Sequence, residues 1–503
     1  MSDASSYRQI LRSSSVIGGA SVVNIGIGLL RMKAVALLLG PSGVGLIGLF
    51  TNLVALVSTV AGLGIGNVGT RQIAEAAGRS DPQRIATARR ALFWGTLMLA
   101  GGGALVIWSL RGVFAAYVLN DATLAPQIGW LSLAVALTVA AASQNALLNG
   151  LRRIGDIARV QIASAVLSTV LGLLALWCWG APGIVAFVVA APLATFVLGH
   201  VFVARLPKVQ APASDVRELS NQWRVLVRLG TAFMVAGLAA VAAQLVVRTL
   251  VQRDLGADAL GHFQAAWAIS MTYIGFVLRA MGTDFYPRLT AIIQDRDAVN
   301  RLVNQQTEVA LLLATPVLLA MLALAPWVIR LLYTAEFAEA ALVLRWQVLG
   351  DFLKIASWPL GFILLASGAG RTYMLTEWTA MGVFVLLTWI GLPLLGLAAS
   401  GMAFVGLYVV YLPLVYWLAV RRTAFTYSPR IVKVMISCLA CAIVLMTIST
   451  HSEIATRVIG LCIASIFAAF NFRQLLAVVS NGSEAGKLRI ARRAMDRLLT
   501  RKE

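Results

Sequence analysis

Nine ionisable residues stand inside apolar runs long enough to cross a bilayer: Arg31, Lys33, Arg248, Arg279, Glu308, Arg345, Asp351, Lys354 and Glu377, with Asp284 at the end of another run. Within a membrane such a side chain costs about 3 kcal/mol or more, so each needs a partner or a wet cavity and is a candidate for function. The first half of the chain holds only positive charge in its apolar runs, Arg31 and Lys33, and no Asp or Glu. Lys33 lies seven residues before Gly40, roughly 10 Å inside the end of a helix, and Arg248 lies seven before Leu255. Two basic groups at matching depth suit an anion held between two helices, and phosphate is the natural one. Arg31 and Lys33 are two apart, about 200° around a helix, so they cannot share a face; Lys33 is assigned to the cavity. The competing reading is that each cation snorkels to the nearby interface. Asp351 and Lys354, at i and i+3, either neutralise each other or act in transport. Glu377 has Arg371 as its nearest opposite charge and is a candidate for coupling to an ion. Trp267, Trp346 and Trp358 stack on sugar rings or pack in the core, and Asn145, with other amides inside the runs, serves sugar contacts or helix contacts.

The elements that position these residues are membrane helices. The 503 residues are 59% hydrophobic and only 12% charged, with a mean hydropathy of +0.84, against about 25% charged in soluble domains. Fourteen runs reach the ~20 residues a spanning helix needs: 14–38, 44–68, 91–110, 125–149, 160–179, 183–204, 229–251, 260–283, 307–329, 341–367, 372–391, 396–420, 431–450 and 455–475. They are continuous rather than alternating, which excludes an outer-membrane barrel. The first run is too long for a signal peptide, has no clear cleavage site, and is expected to be retained.

Apart from six inside the runs, all but four (Arg111, Arg253, Arg330, Arg457) of the 41 lysines and arginines fall on one side if the N-terminus is cytoplasmic. That bias predicts both termini in the cytoplasm. Insertion and anionic phospholipid headgroups account for most of the net charge of +20, and nucleic-acid binding is not needed. The polar stretch 205–228 divides the chain into an N-terminal six-helix bundle, 1–204, and a C-terminal one, 229–420. Two added helices follow over 421–480, then a basic tail, 481–503. Leu39-Gly40-Pro41-Ser42-Gly43-Val44-Gly45 and Leu255-Gly256-Ala257-Asp258-Ala259-Leu260-Gly261 share an LGxxxxG pattern, each after the first helix of its half. The expected fold is therefore an all-α membrane protein of about fourteen transmembrane helices, with two six-helix bundles in a parallel repeat as in secondary transporters.

Other chemistry is poorly represented. Cys178, Cys438, Cys441 and Cys462 lie in apolar runs and make neither a disulfide framework nor a zinc site with the three histidines, and no metal is expected. No GxxxxGK[ST] phosphate loop occurs, since Gly482 to Lys487 fails the spacing, so an ATPase is not expected. Loops on the side opposite the termini are short, leaving no room for an extramembrane catalytic domain.

The chain resembles the Wzx-type O-antigen or enterobacterial-common-antigen flippases of the multidrug/oligosaccharidyl-lipid/polysaccharide exporter superfamily. The stretches that carry the likeness are Ile25-Gly26-Ile27-Gly28-Leu29-Leu30 through Lys33 to Gly43, Asp284-Phe285-Tyr286-Pro287-Arg288-Leu289, Trp346-Gln347-Val348-Leu349-Gly350-Asp351-Phe352-Leu353-Lys354 with Pro359-Leu360-Gly361-Phe362, and Glu377. They cover spans one to twelve. The resemblance implies a MATE-like fold in a bacterial inner membrane, working as a monomer, with a polysaccharide polymerase as a candidate partner. It implies translocation of an undecaprenyl-diphosphate-linked oligosaccharide from the cytoplasmic to the periplasmic leaflet by alternating access. The diphosphate would be bound by Lys33 and Arg248, joined by Arg31 and Arg279. Asp351, Lys354, Asp284, Glu377, Asn145 and Trp346 would serve the glycan or ion coupling. No cofactor is implied; the driving force is a proton or sodium gradient or the membrane potential. A cation-coupled drug exporter of the same fold is disfavoured by the acid-free first half. A flippase for another polyprenyl-linked precursor such as lipid II stays open.

Overall fold

The computed structural model describes residues 3–79, 82–207, 216–449 and 451–471. The basic tail 481–503 and part of the 205–228 linker lie outside them. Among the described residues there is no strand, and the chain is helical nearly throughout. The helices are α1 (Asp3–Gly62), α2 (Ile65–Gly78), α3 (Pro82–Ser109), α4 (Arg111–Phe114), α5 (Ala125–Gly150), α6 (Ile154–Trp179), α7 (Ile184–Ala204), α8 (Val216–Leu255), α9 (Ala257–Ala291), α10 (Arg296–Leu332), α11 (Ala340–Ala366), α12 (Gly370–Leu395), α13 (Ala398–Thr423) and α14 (Pro429–Ser449), followed by α15 (Glu453–Asn471). Twelve helices among the described residues are long and apolar enough to cross a membrane. The first bends at Gly40, whose φ of 63° and ψ of −167° break the helix just before Pro41, and so it carries two of the expected spans. The expected span 260–283 lies on α9, which is not among the twelve; several of its side chains are outside the described set. The all-helical membrane architecture read from the sequence is the one observed.

The helices present apolar side chains outward, as a lipid-facing surface does: Leu30, Trp177 and Leu394 are each about three-quarters exposed. Trp94, Trp108, Trp179, Trp327 and Trp417, close to the ends of the apolar runs, are all exposed. Arg111 lies 4.5 Å from the Trp108 ring and Arg421 4.0 Å from the Trp417 ring, the cation–π pairing that suits a headgroup region.

The chain forms two compact units. The first comprises Met1–Ala268, Ile329–Val343 and Glu377–Ala403; the second comprises Ile269–Val328, Leu344–Thr376 and Phe404–Glu503. In the first unit the LGxxxxG repeat has a structural meaning. Gly40 and Gly256, its matching second positions, both take the left-handed φ that glycine alone adopts without strain, 63° and 87°. The last glycines of the two copies pack on each other: a Cβ on Gly45 would lie 2.8 Å from the Gly261 nitrogen, and one on Gly261 would lie 2.0 Å from the Pro41 oxygen. Lipid tails give no hydrophobic drive between helices, so close backbone approach at small residues is how such helices associate.

The second unit is held by polar locks. Arg345, 5% exposed, donates through Nη1 and Nη2 to the two Glu453 oxygens at 3.0 and 2.8 Å. Arg430 pairs with Glu308 at 2.9 Å, and Asn471 donates to the Leu312 carbonyl at 2.8 Å. These contacts tie α14 and α15 to α10 and α11. Two of the intramembrane charges flagged by the sequence, Arg345 and Glu308, are thereby accounted for as ion pairs.

Candidate functional site

Arg248 on α8 is 3% exposed. Its Nε donates to Gln264 Oε1 at 3.0 Å, and its Nη1 to the Gln244 carbonyl at 3.1 Å and to Gln244 Oε1 at 3.3 Å. The guanidinium lies 5.7 Å from the Phe263 ring centroid and 5.8 Å from that of Trp267. Trp267 in turn stacks on Phe384, 5.8 Å between centroids and 20° between planes. Gln244 is placed by the helix itself, one turn before Arg248. Gln264 is placed by a glycine: a Cβ on Gly48 would sit 2.5 Å from the Gln264 amide carbon, so only glycine on α1 leaves room for that carboxamide.

What this site lacks matters as much. Among the described residues no carboxylate pairs with Arg248, and its Nη2 has no hydrogen-bond partner. Neutral amide oxygens and aromatic faces soften the cost of a buried cation but do not neutralise it. A guanidinium held this way can still offer a donor to a phosphate oxygen, at little cost in reorganisation.

The other expected anion ligands are placed differently. Lys33 donates its ammonium to the carbonyls of Arg330, at 3.0 Å, and Tyr333, at the C-terminal end of α10. Arg31 is part-buried, its guanidinium 4.1 Å from the Phe187 ring on α7. Among the described residues no contact joins Lys33, Arg31 and Arg248. The side chains of Arg279 and Asp284 lie outside the described residues.

The remaining candidates divide between the two units. Asp351, fully buried on α11, belongs to the second. Its Oδ2 accepts from Ser270 Oγ at 2.9 Å and Tyr273 Oη at 2.5 Å, both on α9. Its Oδ1, and both amide atoms of the fully buried Gln347 one turn earlier, are buried without a hydrogen-bond partner. Sequence reasoning passed over Ser270, Tyr273 and Gln347; Gln347, four residues before Asp351 and on the same helix face, was the visible clue. Lys354 lies 3.6 Å from Met271 Sδ and about 6 Å from the Phe404 and Tyr408 rings. Trp346 is half-buried, and Glu377 is half-buried and engaged. Trp358 packs among Phe285 and Phe362. In the first unit, Asn145 is exposed and accepts from Asn149 at 3.1 Å. It lines a small open pocket with Gln144, Gln161, Thr195 and Gly199. Among the described residues no cluster of His, Cys, Asp and Glu is suited to a metal ion.

The chain is 24% identical over 377 residues to the lipid III flippase of Escherichia coli strain K12, a match covering 73% of this chain and 88% of that protein. The lipid III flippase of Shigella flexneri matches to the same extent. Among solved structures, the lipid II flippase MurJ in an inward closed conformation superposes with a TM-score of 0.69 at 13% identity, covering 93% of this chain and 100% of that one. An inward-facing multidrug resistance MATE family transporter gives 0.67 at 16% identity, covering 80% and 98%. At such identities the two structures speak to the fold. A family match over residues 10–293 takes in more than half of the chain, both copies of the repeat and Arg248, and by it the chain belongs to the family described as polysaccharide biosynthesis protein.

Proposed function

We propose that the protein is a flippase that carries a polyprenyl-diphosphate-linked oligosaccharide across the bacterial inner membrane by alternating access, with Arg248 as the anchor for the diphosphate. The observation that carries the reading is a buried guanidinium surrounded by amides and aromatics and given no carboxylate among the described residues. A lipid-linked diphosphate supplies the missing negative charge. The lipid III and lipid II flippases to which the chain is similar support a lipid-linked precursor as the cargo. A transporter, rather than a membrane enzyme, also suits a chain whose candidate residues are spread through helices and not gathered around a reactive centre.

Ion coupling is assigned to Asp351. A carboxylate with one oxygen held by Ser270 and Tyr273 and the other unpartnered beside Gln347 is suited to hold a proton or a monovalent cation, whose binding would offset the cost of a buried charge. A lipid II-type precursor remains the alternative cargo, because the diphosphate–polyprenyl chemistry at Arg248 is common to both.

The test is reconstitution of the full-length protein in liposomes with labelled polyprenyl-diphosphate oligosaccharide and a leaflet-specific readout. The reading expects label to become accessible in the opposite leaflet only with protein present, and transport to be lost in Arg248→Gln. Equal transport by wild type and Arg248→Gln would contradict the role of the arginine. Transport of lipid II alone would redirect the cargo.

A further inference from the structure

The turn between α10 and α11 is held from two sides by two basic side chains, and the flippase reading uses neither. The last carbonyls of a helix have no partner within it, and they carry the negative end of its dipole. At the end of α10 these carbonyls, from Arg330 and Tyr333, accept from the Lys33 ammonium, which arrives from the first arm of α1. Three residues farther on, Glu336 places its carboxylate by the Gly40 bend, with Oε2 3.4 Å from where a Gly40 Cβ would be. From α9 comes His262, 7% exposed, directly after the last glycine of the second LGxxxxG copy. Its Nδ1 is 3.2 Å from Glu339 Oε2 and its Nε2 is 3.1 Å from the Glu336 carbonyl. The rings of Tyr333 and Phe337 fill the space beneath, 4.8 Å apart, with Phe337 edge-on to His262 at 5.9 Å.

The two partners of His262 are both acceptors. His262 thereby ties the start of α9 to the 336–339 turn at two points. Glu339, the acceptor at Nδ1, has a side chain 73% exposed, so this end of the pair is open to the surrounding water. Glu336 and Glu339 on the turn face the ring, and Lys33 from α1 meets the same turn at the carbonyls of Arg330 and Tyr333. All these residues lie in the first unit, at the end where the two glycine copies meet.

We propose that residues 330–339 are a clasp that binds the first arm of α1 to the start of α9, fastened by Lys33 and by His262. The clasp rests on the flippase reading only in its purpose, which is to hold this end of the carrier shut against the outer medium between transport steps.

The test reads opening directly and needs no cargo. In the full-length protein with Cys178, Cys438, Cys441 and Cys462 replaced by alanine, Val44→Cys reports the buried seam and Ser42→Cys, exposed on the same bend, gives the reference rate. Labelling by a membrane-impermeant maleimide is expressed as the ratio of the two rates at one pH, which cancels thiol reactivity. Lys33→Ala and His262→Gln should each raise the ratio about threefold or more, the scale of one lost hydrogen bond. Hydrogen exchange of 330–339 in the native-cysteine protein should follow the same order. A ratio and an exchange rate unchanged in both variants overturn the clasp. Glycan transport measured in parallel separates this from the flippase reading, since the labelling pattern stands or falls whether or not any lipid moves.

Discussion

Arg248 and Arg345 are both buried, 3% and 5% exposed, and both lie on helices that carry expected spans. Their surroundings are opposite. Arg345 in the second unit meets Glu453 through two parallel hydrogen bonds and the Leu322 carbonyl through a third. Its charge is cancelled inside the protein, and it fastens α15 to α11. Arg248 in the first unit meets two glutamines and two rings, and no acid among the described residues. A fold with a charged pair to spare uses it as a lock. The first unit leaves Arg248 with neutral partners, the setting that the proposed anion would complete. Burial alone does not distinguish a lock from a site; the identity of the partner does.

The comparison can be broken most forcefully at Arg248. Arg248→Gln should lower delivery of surface glycan by about 100-fold, since losing two charge-assisted hydrogen bonds to phosphate is worth about 3 kcal/mol or more. The thermal midpoint in detergent should stay level or rise, because no carboxylate is stranded by the change. Arg345→Gln should do the reverse. Stability should fall by about 2 kcal/mol, discounted because Glu453 is 44% exposed. Transport per folded molecule should hold, and Arg345→Gln with Glu453→Gln should recover most of the loss in a thermal melt. Gly48→Ala should sharpen the contrast. Its methyl would push the Gln264 carboxamide off Arg248, costing about 1–3 kcal/mol of stability and weakening diphosphate affinity by about tenfold in a binding titration. Asp351→Asn should have the smallest effect on folding and a selective one on transport: unchanged melting, with uptake that no longer responds to an imposed proton or sodium gradient.

The sequence made the membrane helices readable because their apolar runs are long and continuous. It also made the LGxxxxG copies readable, and they became the two left-handed bends and the glycine contact between Gly45 and Gly261. The positions of buried charge could be read for the same reason, since a charge in an apolar run stands out. Their partners could not. Glu453 lies 108 residues from Arg345, and its choice of partner is made by packing. Lys33 was matched to Arg248 by depth, yet its ammonium goes to backbone carbonyls that exist only because α10 ends there. Any helix end offers such acceptors, and residue type does not mark them. α14 and α15 looked like an appendix to two bundles. Glu453, Arg430 and Asn471 show them bound into the second unit through side chains that the hydropathy pattern treats as mere flanks.

The central claim is that the charge of Arg248 is completed by a diphosphate. Trp267, whose ring centroid is 5.8 Å from that guanidinium, supplies the reporter. Undecaprenyl diphosphate titrated into the purified protein should change tryptophan fluorescence saturably, should do so less well as undecaprenyl monophosphate and not at all as undecaprenol, and should lose the response in Arg248→Gln while Arg345→Lys retains it. A response of equal size and affinity from undecaprenol, or from the Arg248→Gln protein, would contradict the account.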